Sequence, residues 1–312
     1  MFVRWEHLER GRETQPTLPG IDEPVVRRFD APEALGIRFH EVHARSAINA
    51  VPERSRMPFR WTVNPYRGCV HACVYCFARP THTYLDLNAR EDFEREIVVK
   101  VNTPERVRAE LAKPSWEGEL VALGTNTDPY QWVEGRYRLT RGVWEAMRDF
   151  SNPCSVLTKS PLLLRDLDLF RELVERTEFS ANLSVPTLDE KVWRQTEPRT
   201  PHPRKRLEAV AELVRNGVPS SVLIAPLMPG INDSPAQVER ILELAGEAGV
   251  RNVTPIGLHL RGEVRDIYFD WLRQYRPDLL DRYERLYRDR AYLPADERRR
   301  LARLGRSRIG AA

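Results

Sequence analysis

The chain has 312 residues, 41% of them hydrophobic, with 49 Lys and Arg against 45 Asp and Glu and a formal net charge of +4. That length holds one large α/β domain or two ordinary ones, and the near balance of charge excludes binding to nucleic acid through overall basicity. Four cysteines are too few for a disulfide framework and fit a reducing cytoplasm; the charged start is unlike a secretory leader, and no run approaches the ~20 apolar residues of a membrane span.

Residues 1–43 carry Pro16, Pro19, Pro24 and Pro32 without clear periodicity, so they read as an N-terminal extension that wraps the body or stays partly disordered, with no chemistry assigned. Residues 59–63 are predicted as the first strand, and its C-terminal end delivers Cys69, Cys73 and Cys76 in the spacing C-x3-C-x2-C. Three thiolates so close together can hold three corners of a [4Fe–4S] cube and leave its fourth iron open. The competing filling is a structural zinc ion, with His71, His82 or Cys154 as fourth ligand, although no second C-x2-C pair is present. A disulfide would leave one of the three thiols over.

Further strands are predicted at 118–125, 155–159, 179–185, 221–227 and 252–260, with helices at 138–150, 162–176, 203–216 and 235–248. Asp233 or Ser234 suits the N-cap of the last helix, and Gly217 and Gly249 stand where C-caps belong. Strands alternating with helices imply an α/β fold with a parallel sheet, which right-handed crossovers can curl into a full or partial barrel. Chemistry in such barrels lies in the loops after the strands. There the chain places Thr125, Thr127 and Asp128, then Lys159, with Asn182 and Ser184 along the fourth strand and Arg199 in the Pro- and Arg-rich loop beyond it. Taken singly, Thr, Asn and Asp after strands are ordinary turn residues.

Asn64-Pro65-Tyr66-Arg67-Gly68 leading into Cys69, and Tyr75 just before Cys76, resemble the cluster loop of the radical S-adenosylmethionine (SAM) superfamily. The resemblance implies a partial (βα)6 TIM-like barrel of the radical SAM type spanning residues 44–275. It also implies a [4Fe–4S] cluster on the three cysteines, with SAM chelating the open iron and cleaved reductively to a 5′-deoxyadenosyl radical. A flavodoxin or ferredoxin would supply the electron. In that setting Tyr75 packs near the adenine. Asp128, Thr125 or Thr127 receives the SAM ammonium, Lys159 or Arg199 meets a carboxylate, and Asn182 or Ser184 holds ribose or methionine atoms.

The sequences around Thr127-Asp128-Pro129-Tyr130-Gln131, Thr158-Lys159-Ser160, Glu197-Pro198-Arg199 and Pro229-Gly230 are similar to the branch related to spore photoproduct lyase, a DNA-repair radical enzyme. That enzyme keeps a hydrogen-donor cysteine after its second strand, where this chain has Thr125 to Asp128. A hydroxyl O–H is far stronger than a thiol S–H, which argues against thymine-dimer reversal by the same route. Cys154, the remaining thiol, precedes the third strand and reads as a small buried hydrophobe. The catalytic residues and the substrate are not legible.

Residues 276–312 form an Arg-rich helical C-terminal extension, running from Arg282 through Arg306 and Arg308. Tyr275, Tyr283, Tyr287 and Tyr292 are interleaved and would stack on bases in a nucleic-acid reading. Acidic residues share the segment, so a salt-bridged, solvated helix is the preferred reading, with a non-catalytic nucleic-acid-binding module as the alternative.

Overall fold

A computed structural model describes residues 25–305 except 54, 56 and 251. Six strands follow one another as parallel neighbours: β4 (Trp61–Val63), β7 (Val121–Leu123), β8 (Cys154–Thr158), β9 (Phe179–Ser184), β10 (Ser221–Leu227) and β11 (Asn252–Gly257). These are the six predicted strands: β10 matches its pattern, β8 is shifted by one residue, and the other four are shorter. A short strand β3 (Ile48–Ala50) adds antiparallel to β4 at one edge, while β11 forms the other, so the sheet does not close on itself. The result is a partial βα barrel with an open side.

Period-2 alternation sorts the barrel strands into two faces. Register pairs Cys154, Val156 and Thr158 with Phe179, Ala181 and Leu183, all buried on the side covered by helices. Helix Leu139–Asp149 turns Val143, Trp144 and Met147 onto that side, and the Trp144 ring meets Phe170 and Phe179 edge-on at 5.8 and 5.7 Å. Burial of such side chains contributes about 1.5–3 kcal/mol each. The opposite face, lining the barrel interior, carries Ser155, Leu157, Ser180 and Asn182 and is only half-buried.

A second sheet was not legible in the sequence. Strands β1 (Val25–Arg27), β2 (Arg38–Val42), β6 (Glu96–Lys100) and β5 (Tyr66–Arg67) pair in the order β1-β2-β6-β5. Residues 25–43 are therefore ordered pieces of a sheet and not a loose wrapping, because β2 finds a parallel partner in β6, some 58 residues away in the register Arg38 to Glu96. The rest of that extension, with Pro16, Pro19 and Pro24, lies outside the described residues.

The C-terminal segment packs on the barrel. Tyr283 and Tyr287 are fully buried, and the Tyr287 hydroxyl donates to Leu258 O at 2.7 Å. Tyr292 is exposed but stacks on His259 at 4.2 Å. Arg300 pairs with Asp233 and Glu297. The alternative nucleic-acid reading therefore cannot use Tyr283 and Tyr287 for base stacking, and the preferred solvated helix is solvated on one side only: a seven-residue helix, Leu280–Leu286, places Tyr283 and its i+4 neighbour inward. Arg306 and Arg308 lie outside the described residues.

Candidate active site

The cysteine loop leaves β5 through Gly68, whose φ of +82° and near approach to the His82 ring and Phe93 O leave no room for a Cβ. Cys69 N then bonds Phe93 O at 3.0 Å, and short turns close from Ala72 N to Cys69 O and from Cys76 N to Cys73 O. The fully buried Arg79 fixes the whole loop from within. Its guanidinium donates to the carbonyls of Cys73, Ala72, Ala89 and Arg90 at 2.9–3.1 Å and pairs with Glu94.

Cys69 and Cys73 are buried, Cys76 is half-buried, and none is in a disulfide. Burial pushes the Cys73 thiol up, as does nearby Glu197, while Lys159 pulls it down. Three soft donors on one rigid loop suit an iron–sulfur cluster that lacks a fourth protein ligand. Two of the three candidates for a fourth zinc ligand are out of place: His82 is fully buried with Nε2 on Glu96 O at 2.9 Å, and Cys154 begins β8, at the end of the barrel away from the loop. His71 lies between Asp128, 3.4 Å from its Nδ1, and Cys69, with which its ring shares a hydrogen bond, so it supports the Cys69 sulfur from the side.

Glu197 is the hub beside this loop. It is fully buried, receives the Tyr75 hydroxyl on Oε1 and the Arg206 guanidinium on Oε2 at 2.6 Å, and lies 3.5 Å from Lys159 Nζ. Burial alone would raise its pKa; Arg206, then Lys159, and the Tyr75 hydrogen bond hold it below the ordinary value. Lys159 also donates to Ser184 Oγ at 2.9 Å and stands 5.9 Å over the Tyr75 ring. Val74 N to Thr196 O at 3.0 Å ties the same segments through their backbones. Tyr75, Lys159 and Ser184, three expected site residues, therefore converge.

Asp128 is a strut. Its carboxylate accepts from Thr158 Oγ1 at 2.6 Å, Lys159 N at 2.7 Å and Tyr130 N at 2.9 Å, and faces His71. Burial opposes the charge, but His71 and these donors hold the carboxyl down at about 2. Thr127 is also committed, donating to Tyr66 O at 2.9 Å. Asn182 bonds Val156 O, Ser180 and both the amide and hydroxyl of Ser221, knitting three strands together. Thr125 is half-buried, and no residue among those described bonds its hydroxyl.

Arg199 is the clearest displacement. It is exposed on the rim, whereas Arg206, at the fourth position of helix Pro203–Arg215, is fully buried against Glu197. The anion that this Arg-rich helix start calls for is supplied by the protein itself. Arg206 and Glu197 are the functional neighbourhood residues that spacing did not select; the signal was present in Glu197 preceding a cationic helix start, but helix phase decides which arginine turns inward.

The Radical SAM superfamily model matches residues 63–245. An uncharacterized protein of Mycobacterium tuberculosis is 45% identical over 285 residues, covering 91% of this chain and 84% of that one. A radical SAM Nalpha-GlyT isomerase of Pseudomonas phage M6 is 27% identical over 170 residues, 54% of this chain and 33% of that protein. Among solved structures, spore photoproduct lyase complexed with dinucleoside spore photoproduct superposes with a TM-score of 0.64 at 14% identity, covering 86% of this chain and 77% of that one.

Proposed function

The chain belongs to the radical SAM superfamily and is a radical SAM enzyme, and we propose that Cys69, Cys73 and Cys76 hold a [4Fe–4S] cluster while SAM binds at the ends of β7, β8 and β9. The observation that carries this reading is one loop carrying three cysteines outside any disulfide, set beside the Tyr75–Glu197–Lys159–Ser184 network. When bound, the two cofactors supply one-electron cleavage of the SAM sulfonium and so a carbon radical for hydrogen abstraction.

The chain's own groups divide the remaining work. Lys159 is the cation for the SAM carboxylate, and Glu197 sets where its ammonium sits. Ser184 and Thr125 offer hydroxyls, and Tyr75 offers its ring. Asp128, Thr127 and Asn182, whose polar atoms are engaged by the protein, serve by fixing the loop ends. Arg199 is left at the rim for a substrate group. The catalytic core is assigned to residues 44–275, with 276–312 as a supporting extension, and a low-potential donor of the flavodoxin or ferredoxin kind supplies the electron. Among the described residues no helix is long and apolar enough to cross a membrane.

The test is anaerobic reconstitution with iron and sulfide, then reduction, with paramagnetic-resonance spectra recorded with and without SAM and 5′-deoxyadenosine assayed. A reduced-cluster signal that shifts with SAM, together with deoxyadenosine, is the expected result. A colourless protein holding about one zinc per chain would overturn it.

A further inference from the structure

Arg67 and Lys100 are two neighbouring cations that have no counter-ion among the described residues. In the β5–β6 pair Arg67 stands opposite Val98 and Tyr66 opposite Val99. Alternation therefore puts Arg67, Lys100 and Glu96 on one face, where Glu96 is already engaged by Arg38 and His40, and Tyr66, Ile97 and Val99 on the other. The Tyr66 face is sealed, with its hydroxyl on Glu134 and its ring among Ile37, Phe39 and Val133.

The Arg67 face is different. Lys100 Nζ makes one hydrogen bond, to Asn64 O at 3.0 Å. The Arg67 guanidinium has no hydrogen bond or ion pair among the described residues, and one of its terminal nitrogens is shut away from water without a partner. Burial, and then Arg67 itself, lowers the Lys100 ammonium to about 8. The inward-facing cations around the site are treated differently. Arg79, Arg165, Arg206 and Lys159 each lie against a carboxylate: Glu94, Glu134, Glu197 and Glu197 again.

We propose that Arg67 and Lys100 form a binding site for a phosphate monoester. Two positive charges at one place ask for a dianion, which a phosphomonoester supplies and a carboxylate or phosphodiester does not. A planar arginine fork beside a lysine point charge suits the tetrahedral oxygens. The site borders the cysteine loop: Arg67 is two residues before Cys69, and Asn64, which receives Lys100, follows directly on β4. Loops at this end of a barrel meet substrate, so the phosphate is assigned to the substrate. That last assignment rests on the radical SAM reading; the phosphate site itself does not.

Calorimetric titration of the cluster-loaded protein at constant ionic strength, with inorganic phosphate, methyl phosphate, dimethyl phosphate and acetate, tests the site without turnover. Phosphate and methyl phosphate are expected to bind, with dimethyl phosphate and acetate weaker by roughly tenfold or more. Lys100→Met and Arg67→Met should each weaken methyl phosphate by a similar factor, and Lys100→Arg should retain most of the affinity. Failure of the wild-type protein to bind phosphate would overturn the proposal, as would unchanged binding by the Arg67→Met and Lys100→Met double variant. Equal binding of dimethyl phosphate would overturn the monoester assignment. Variants that lose iron while binding phosphate normally would show that the cations serve the cluster instead. If SAM cleavage fails in the wild-type protein but phosphate binds, the functional reading falls and the site stands.

Discussion

Two groups of cations border the cysteine loop, and the fold treats them in opposite ways. On the β8–β9 side, Lys159 and Arg206 close on Glu197, a carboxylate with no exposure to water. On the β5–β6 side, Arg67 and Lys100 lie on the same face of a sheet, and among the described residues neither is paired with a carboxylate. Burial costs both groups hydration; only the first recovers it inside the protein. A neutralised network holds geometry, while an uncompensated pair holds a demand for a ligand.

The comparison can be broken at several points, and the largest effect is expected at the loop between the two groups. Cys73→Ala should abolish cluster assembly and deoxyadenosine formation together, read by iron analysis and product assay; retained cleavage would remove Cys73 from the ligand set. Next is Glu197→Gln, which leaves Arg206 buried without its anion. We expect a loss of about 3–5 kcal/mol in urea unfolding, and a change under about 1 kcal/mol would show that Glu197 is not the neutralising hub.

Asp128 gives a smaller, pH-dependent effect. Its folded pKa lies near 2 against an ordinary value of 3.8, so its contribution is complete above about pH 4 and is lost as pH falls through about 2. The amount is about 2 kcal/mol. Asp128→Asn should lower stability at neutral pH by a similar amount and flatten the fall in acid, measured as unfolding free energy against pH. The smallest change belongs to the uncompensated side. Lys100→Met should leave stability unchanged or raise it by up to about 1 kcal/mol, because removing a cation without a partner relieves a desolvation cost. A marked loss would mean that Lys100 is a scaffold residue after all.

The barrel was legible because its signal is periodic. Apolar runs bounded by Gly, Pro or polar turns gave all six parallel strands, and Gly217 and Gly249 do take positive φ after their helices. The second sheet was not, since β2 and β5 are short, carry His40, Arg38 and Arg67, and acquire strand structure from pairing with β6 rather than from their own pattern. At the site, chain position located Lys159, Ser184 and Tyr75, which converge. It could not tell Arg199 from Arg206, because the choice depends on helix phase against a buried carboxylate. Nor could it tell available polar groups from occupied ones. Asp128, Thr127 and Asn182 stand in the right places, but their hydrogen bonds go to the backbone and neighbours of other segments, a property of the folded chain.

Arg79 has a consequence for the life of the protein. By gripping four carbonyls of the loop and its flank, it lets contacts within the protein, and not iron alone, shape the socket for the cysteines. A metal centre destroyed by oxygen could then be rebuilt in a chain that never unfolded, so the age of the enzyme and the age of its iron need not coincide. Limited proteolysis across the loop should accordingly give the same pattern before and after iron is stripped, and new cuts in the stripped protein would show that the metal, and not Arg79, makes the socket.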